Sequence, residues 1–150
     1  MQEIKLAKWV LEVDVEQTRE FYSKDFEICG CLNCTNFFES IKNVEPSVAD
    51  VFENLGIDPL KPGHLSDFRA MEEGKHEYIG SYHFIGKVLN GDLCNKENWN
   101  ASNTVQLKNF TIGFSNDLDF VPEDFPYPLV QMEFVALMSW VLQDETEKLN

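Results

Sequence analysis

From Trp9 to Val13 apolar and polar positions alternate, with Trp9, Leu11 and Val13 on one side and Val10 and Glu12 on the other. A period of two predicts a strand with one buried face. The pattern then changes. Asp14 is placed to cap a helix, Gln17 stands three residues on as in a capping box, and Thr18, Arg19 and Glu20 suit an exposed turn, so a short helix is predicted from about Val15 to Ser23. Two more helices are expected in TNFFESIKNV and PSVADVFENLG, meeting near Glu45 and Pro46, because proline is favoured at a first helical position. Phe37, Ile41 and Val44 share one face of the first, and Val48, Val51, Phe52 and Leu55 one face of the second, with Gly56 as its C-terminal cap.

GIDPLKPGH is a turn-rich connector in which Pro59 and Pro62 block helix and strand. Beyond it the period returns to two. In EYIGSYHFIGKVLNG, Tyr78, Tyr82, Phe84 and Val88 fall on one face and Ser81, His83 and Lys87 on the other, with turns expected in EEGKH before it and LNGD after it. In TVQLKNFTIGF the apolar phase shifts from Val105 and Leu107 to Phe110, Ile112 and Phe114, which predicts a bulge or bend near Lys108 and Asn109. PLVQMEFVALMSWVL alternates as a strand does, although its residue types also suit a helix; a strand is the reading adopted. The fold class expected is α+β: one domain over residues 1–150, short helices mostly in the first third, and a largely antiparallel sheet in the second half.

Composition adds two constraints. The apolar share of 43% and twelve phenylalanines call for a packed core, which 150 residues can supply without disulfides or metal. Twenty-six acidic against twelve basic residues give a formal charge of −14, which repels phosphate backbones and anionic lipid; no nucleic-acid or membrane partner is expected. MQEIKLAKWVLEVDVEQ has no apolar run of signal-peptide length and FVALMSWVL is too short to span a bilayer, so a cytoplasmic location with reduced thiols is expected.

Chemistry is concentrated in EICGCLNCTNFFES. Cys29 and Cys31 are two apart, so in an extended chain their side chains point the same way, and Cys34 would enter from the first turn of the following helix. Three converging sulfurs lack one ligand of a zinc tetrahedron. The metal set expected is Cys29, Cys31, Cys34 and Cys94, the last on a loop after NGD, with His64, then His83 and His76, as other sources of the fourth ligand. Such a zinc would be a structural staple. Cys31-Leu32-Asn33-Cys34 also has the C-x-x-C spacing of a redox pair ahead of a helix, whose dipole favours a thiolate. Packed, inert thiols are the third reading, since cysteine is among the most buried residue types.

Phosphate-loop, dinucleotide, zincin and nucleophile-elbow patterns are absent from the sequence. Asp14 with Glu16, and Glu72 with Glu73, read as caps and solvated turns before acid–base pairs, and a Cys34 or Cys94 nucleophile has no identifiable histidine. In DFPYPLVQMEF the prolines shape the entry to a strand and the aromatics cover the core, with partner contact as the rival reading.

The segments LEVDVEQTREFY, CGCLNCTNFF, LGIDPLKP, GSYHFIGKV and VPEDFPYPLVQMEF together resemble, in this order, a group of small uncharacterised bacterial proteins. The resemblance covers nearly the whole chain. It implies a C-x-C-x-x-C-x-N-[FY] segment, here Cys29, Cys31, Cys34, Asn36 and Phe37, and no activity. The function expected is a non-enzymatic protein-binding domain with a structural zinc site; the alternative is a thiol–disulfide protein using Cys31 and Cys34.

Overall fold

The computed structural model describes residues 1–26, 30–69 and 74–142. Its elements are strands β1 (Gln2–Leu6) and β2 (Trp9–Val13), helices α1 (Val15–Tyr22), α2 (Leu32–Ile41) and α3 (Pro46–Leu55), then β3 (His64–Arg69), β4 (Lys75–Asn90), β5 (Val105–Leu107), β6 (Phe110–Ser115) and β7 (Leu129–Ser139). The seven strands form one sheet in the order β1-β2-β4-β7-β6-β5, with β3 paired to the first half of β4. Every pairing is antiparallel. The α+β class and the placement of the helices in the first third follow the sequence.

Local signals act where the sequence puts them. The Asp14 carboxylate accepts from the Gln17 backbone N–H at 3.0 Å, so this residue of the Asp14–Glu16 pair is a cap. Gly56 ends α3 with φ of 79°, a left-handed turn that suits a residue without a Cβ. The phase shift near Lys108 and Asn109 is a tight hairpin turn between β5 and β6, with Lys108 at φ of 57°. Two strands had no expectation: β1, whose burial is weak, and β3, which follows the proline-rich connector and places His64 in the sheet instead of a loop.

The core lies between one face of the sheet and the helices. Phe37 of α2 stacks on Phe134 at 5.7 Å and meets Tyr78 at 5.1 Å, while Phe52 of α3 meets Tyr82 at 4.9 Å. Asn36 fixes the N-terminal half of α2 to the sheet: its amide donates to the Ser139 carbonyl and the Tyr78 hydroxyl and accepts from the Val141 N–H.

Helix α1 closes a gap in the sheet edge. Along β4, pairing with β3 ends at Ser81 and pairing with β2 begins at Gly86, which leaves the backbone of the residues between without a strand on that side. The Tyr22 hydroxyl donates to the His83 carbonyl and accepts from its N–H, both at 3.0 Å, and Thr18 Oγ1 accepts from the Ile85 N–H at 3.0 Å. Polar backbone is thereby satisfied by side chains where a ladder is interrupted. Among the described residues no helix is long and apolar enough to cross a membrane.

Candidate functional site

Among the described residues, the other face of the sheet carries no helix. Strand register places His64 opposite Ser81, Ser66 opposite Ile79, Ser81 opposite Glu133, Ile79 opposite Val135 and His83 opposite Gln131, all on this open face. Two loops lean over it, 95–99 and 117–120. Together they leave a cleft of about 420 Å³ whose apolar lining includes Ile79, Val135, Trp99 and Phe120. Phe120 stacks on His64 with centroids 4.4 Å apart, and His64 Nε2 lies 2.9 Å from Ser66 Oγ.

Polar groups gather at one end. Gln131 Oε1 accepts from the Asp119 N–H at 2.6 Å and from His83 Nε2 at 3.0 Å, while Gln131 Nε2 donates to Glu133 Oε2 at 2.8 Å. The Asp119 carbonyl also faces His83 Nε2, so the imidazole proton belongs on that nitrogen. Burial lowers the His83 pKa and keeps the ring neutral, against the opposing pull of Gln131 and Asp119. Burial raises the Glu133 pKa, and Asp119 and Asp117 add to the shift, with Gln131 and Lys96 opposing it. The Ser81 hydroxyl lines the cleft, is buried, and has no hydrogen-bond partner among the described residues. Lys96 Nζ lies 3.2 Å from Asp119 Oδ2.

The cysteines divide between the two faces. Cys31 is the N-cap of α2, half-buried, and its Sγ accepts from the Cys34 N–H at 3.4 Å; Cys34 sits in the first turn, buried. Both lie on the helix side, close enough to Tyr78 to add to the upward shift of its phenol, which burial dominates. Cys94 lies on the open face: a Cβ built on Gly113 would come within 2.9 Å of Cys94 Sγ and 3.1 Å of the Trp99 ring. Gly113 alternates with Ile112 and Phe114, which face the core, so the sheet stands between Cys94 and the Cys31–Cys34 pair. Burial, with Glu133 next in effect, pushes the Cys94 thiol up to about 11.

The histidines are likewise split. His64 and His83 belong to the open face. His76 is on the helix side, with Nδ1 3.2 Å from Asp67 Oδ1 and its ring 4.9 Å from Trp140. It is therefore the histidine that shares a side of the sheet with Cys31 and Cys34, although Cys94 and His64 ranked above it from sequence. Cys29, like Glu72 and Glu73, lies outside the described residues. Among the described residues, no three His, Cys, Asp or Glu side chains come together to hold a metal ion.

DFPYP splits too: Phe125 is buried and stacks on Phe21 at 4.0 Å, whereas Tyr127 is exposed. The cleft itself was not anticipated. Its floor was foreshadowed by the alternation that set Ser81 and His83 apart from Tyr78 and Tyr82, but its walls come from loops with no periodic signal. No protein-family model, curated protein or solved structure matches this chain.

Proposed function

We propose that this is a non-enzymatic protein-binding domain, and that its docking surface is the open face of the sheet, which receives a basic, partly apolar segment of a partner protein. The observation that carries the reading is an apolar patch on a face that no helix covers among the described residues. Ile79 and Phe120, 36% and 62% exposed, line a cleft that ends in carboxylates, and Phe68, 49% exposed, lies farther along β3 on the same face. Apolar side chains grouped in this way favour burial against another surface. Charge complementarity selects the partner: Asp117, Asp119 and Glu133 border the cleft or its polar end, and the chain carries a net −14.

The test is the fluorescence anisotropy of labelled twelve-residue peptides in which three arginines, or three glutamates, are spaced among leucines. Saturable binding of the arginine peptide, weakened by salt and by the double change Ile79→Ser with Phe120→Ser, is the expected result. Equal binding of both peptides, or binding indifferent to that double change, counts against the reading.

A second reading is thiol–disulfide exchange at Cys31 and Cys34, and the observation that favours it is the N-cap geometry. A half-exposed sulfur accepting the N–H of the second cysteine at a helix start is placed for attack on a disulfide. Reduction of a protein disulfide by the Cys31–Cys34 dithiol, with one Cys31–Cys34 disulfide formed for each disulfide reduced, would support it. Thiols inert to a glutathione redox buffer would end it.

A further inference from the structure

Two hollows meet on the open face. The apolar cleft of about 420 Å³ and an adjoining polar recess of about 320 Å³ share Asn95, Lys96, Asp119 and Glu133, and the recess adds Glu97, Ser115 and Asp117. Four carboxylates therefore surround the recess against one ammonium, that of Lys96. An acidic cluster alone would be only a solvated rim. Here Ser81, 2% exposed, supplies a buried hydroxyl that lines the cleft without a partner, directly across the strand pair from Glu133. Unsatisfied buried hydroxyls are uncommon and mark a place where a further polar group completes the set.

We propose that the junction of cleft and recess is a seat for an arginine side chain of the partner, and that Lys96 is the internal cation which that arginine displaces. The inference rests on reading the open face as the docking surface. The stem of the arginine lies over Ile79 and Val135, and its planar head passes between Trp99 and the stacked Phe120–His64 pair. The guanidinium then donates to Glu133, whose Oε2 already accepts from Gln131, to the Ser81 hydroxyl, and to the Asp119 carboxylate that Lys96 gives up. A flat fork flanked by aromatic rings suits arginine better than lysine. Lys96 is held only at its tip: its side chain is 77% exposed and its ammonium meets Asp119 at 3.2 Å, an ion pair that costs little to open.

The probes are benzamidine, whose amidinium stands in for the guanidinium head, benzamide as its neutral counterpart, and benzoate as the anion. Each is titrated into methyl-labelled protein while the Ile79 and Val135 methyls and the Trp99 indole N–H are followed by NMR. Benzamidine is expected to shift these signals with an affinity about tenfold above that of benzamide. Glu133→Gln, which keeps an acceptor for Gln131, is expected to erase the preference, and Lys96→Gln to tighten benzamidine binding roughly twofold to fivefold by freeing Asp119. Dispersed amide spectra of both variants confirm that they are folded. Equal affinity for benzamide, preference for benzoate, or weaker benzamidine binding in Lys96→Gln overturns the arginine seat and leaves a neutral or anionic cleft. If none of the three probes moves Ile79 or Val135, the docking-face reading falls with it.

Discussion

The two faces of one sheet have opposite fates, and β7 shows both in alternate residues. Met132, Phe134, Ala136 and Met138 are sealed under the helices, while Glu133, Val135 and Leu137 between them stay half-buried. The covered face spends its polar groups on fixing the fold. Asn36, Tyr22 and Thr18 each bond backbone that the ladders leave over. Of the three buried side-chain polar atoms without a partner among the described residues, the open face keeps two, Ser81 Oγ and His83 Nδ1, and the third, Asn33 Oδ1, lies in the first turn of α2. Unmet hydrogen-bonding capacity beside exposed apolar surface is what a binding face carries and a core does not.

If that contrast holds, the largest effects belong to the covered face. Phe134→Ala should cost about 3–5 kcal/mol in urea denaturation, because it empties the contact with Phe37 and Tyr82, whereas Val135→Ala one residue away should cost less than about 1 kcal/mol. Comparable losses at the two positions would erase the distinction. Asn36→Ala should lose roughly 2 kcal/mol, since the Ser139 carbonyl and Val141 N–H lose their partner as α2 loosens.

Smaller effects come from titration on the open face. Glu133, faced by Asp117, Asp119, Lys96 and Cys94, has its folded pKa raised. The folded chain thus holds this proton more tightly than the unfolded chain, and stability falls as pH rises from about 4.3 through the folded value. Glu133→Gln should therefore raise the Tm at pH 7 and have no such effect near pH 3. His83 works in the opposite sense. Its folded pKa is lowered, so stability is complete above about pH 6.5 and declines as pH falls below it, where the unfolded histidine takes a proton first. Thermal melts from pH 4 to pH 8 with and without His83→Gln separate this contribution. The smallest effect expected is that of Cys94→Ser on the reactivity of Cys31 and Cys34 toward a thiol reagent, because the sheet lies between them. A change in their rates would place Cys94 with the pair after all.

The same contrast explains what was legible in the sequence. Alternation in β2, β4 and β7 and the caps at Asp14 and Gly56 are local signals, so the class, the helices and the main strands could be read. The ambiguity of PLVQMEFVALMSWVL was resolved by register: both neighbours of β7 impose a period of two on it. Strand β3 is not legible because Leu65 and Phe68 in HLSDFR stand three apart and show no period of two, and β1 because its apolar residues are half-exposed. The thiol cluster stands out in the sequence through spacing alone. Spacing says nothing about which side of a sheet a distant cysteine reaches, and Cys94 reaches the wrong one for Cys31 and Cys34. The cleft depends on Trp99, Asp119 and Phe120, brought over the sheet by loops whose course no periodicity encodes.

Methyl NMR of the protein bound to the arginine–leucine peptide tests the docking face most directly. The account predicts that Ile79, Val135 and the Trp99 indole shift and broaden together, while Val48 and Val51 on α3, under the covered face, do not. Shifts centred instead on Val44, Ala49 and Ile57, which line a second hollow between α1 and α3, would contradict it.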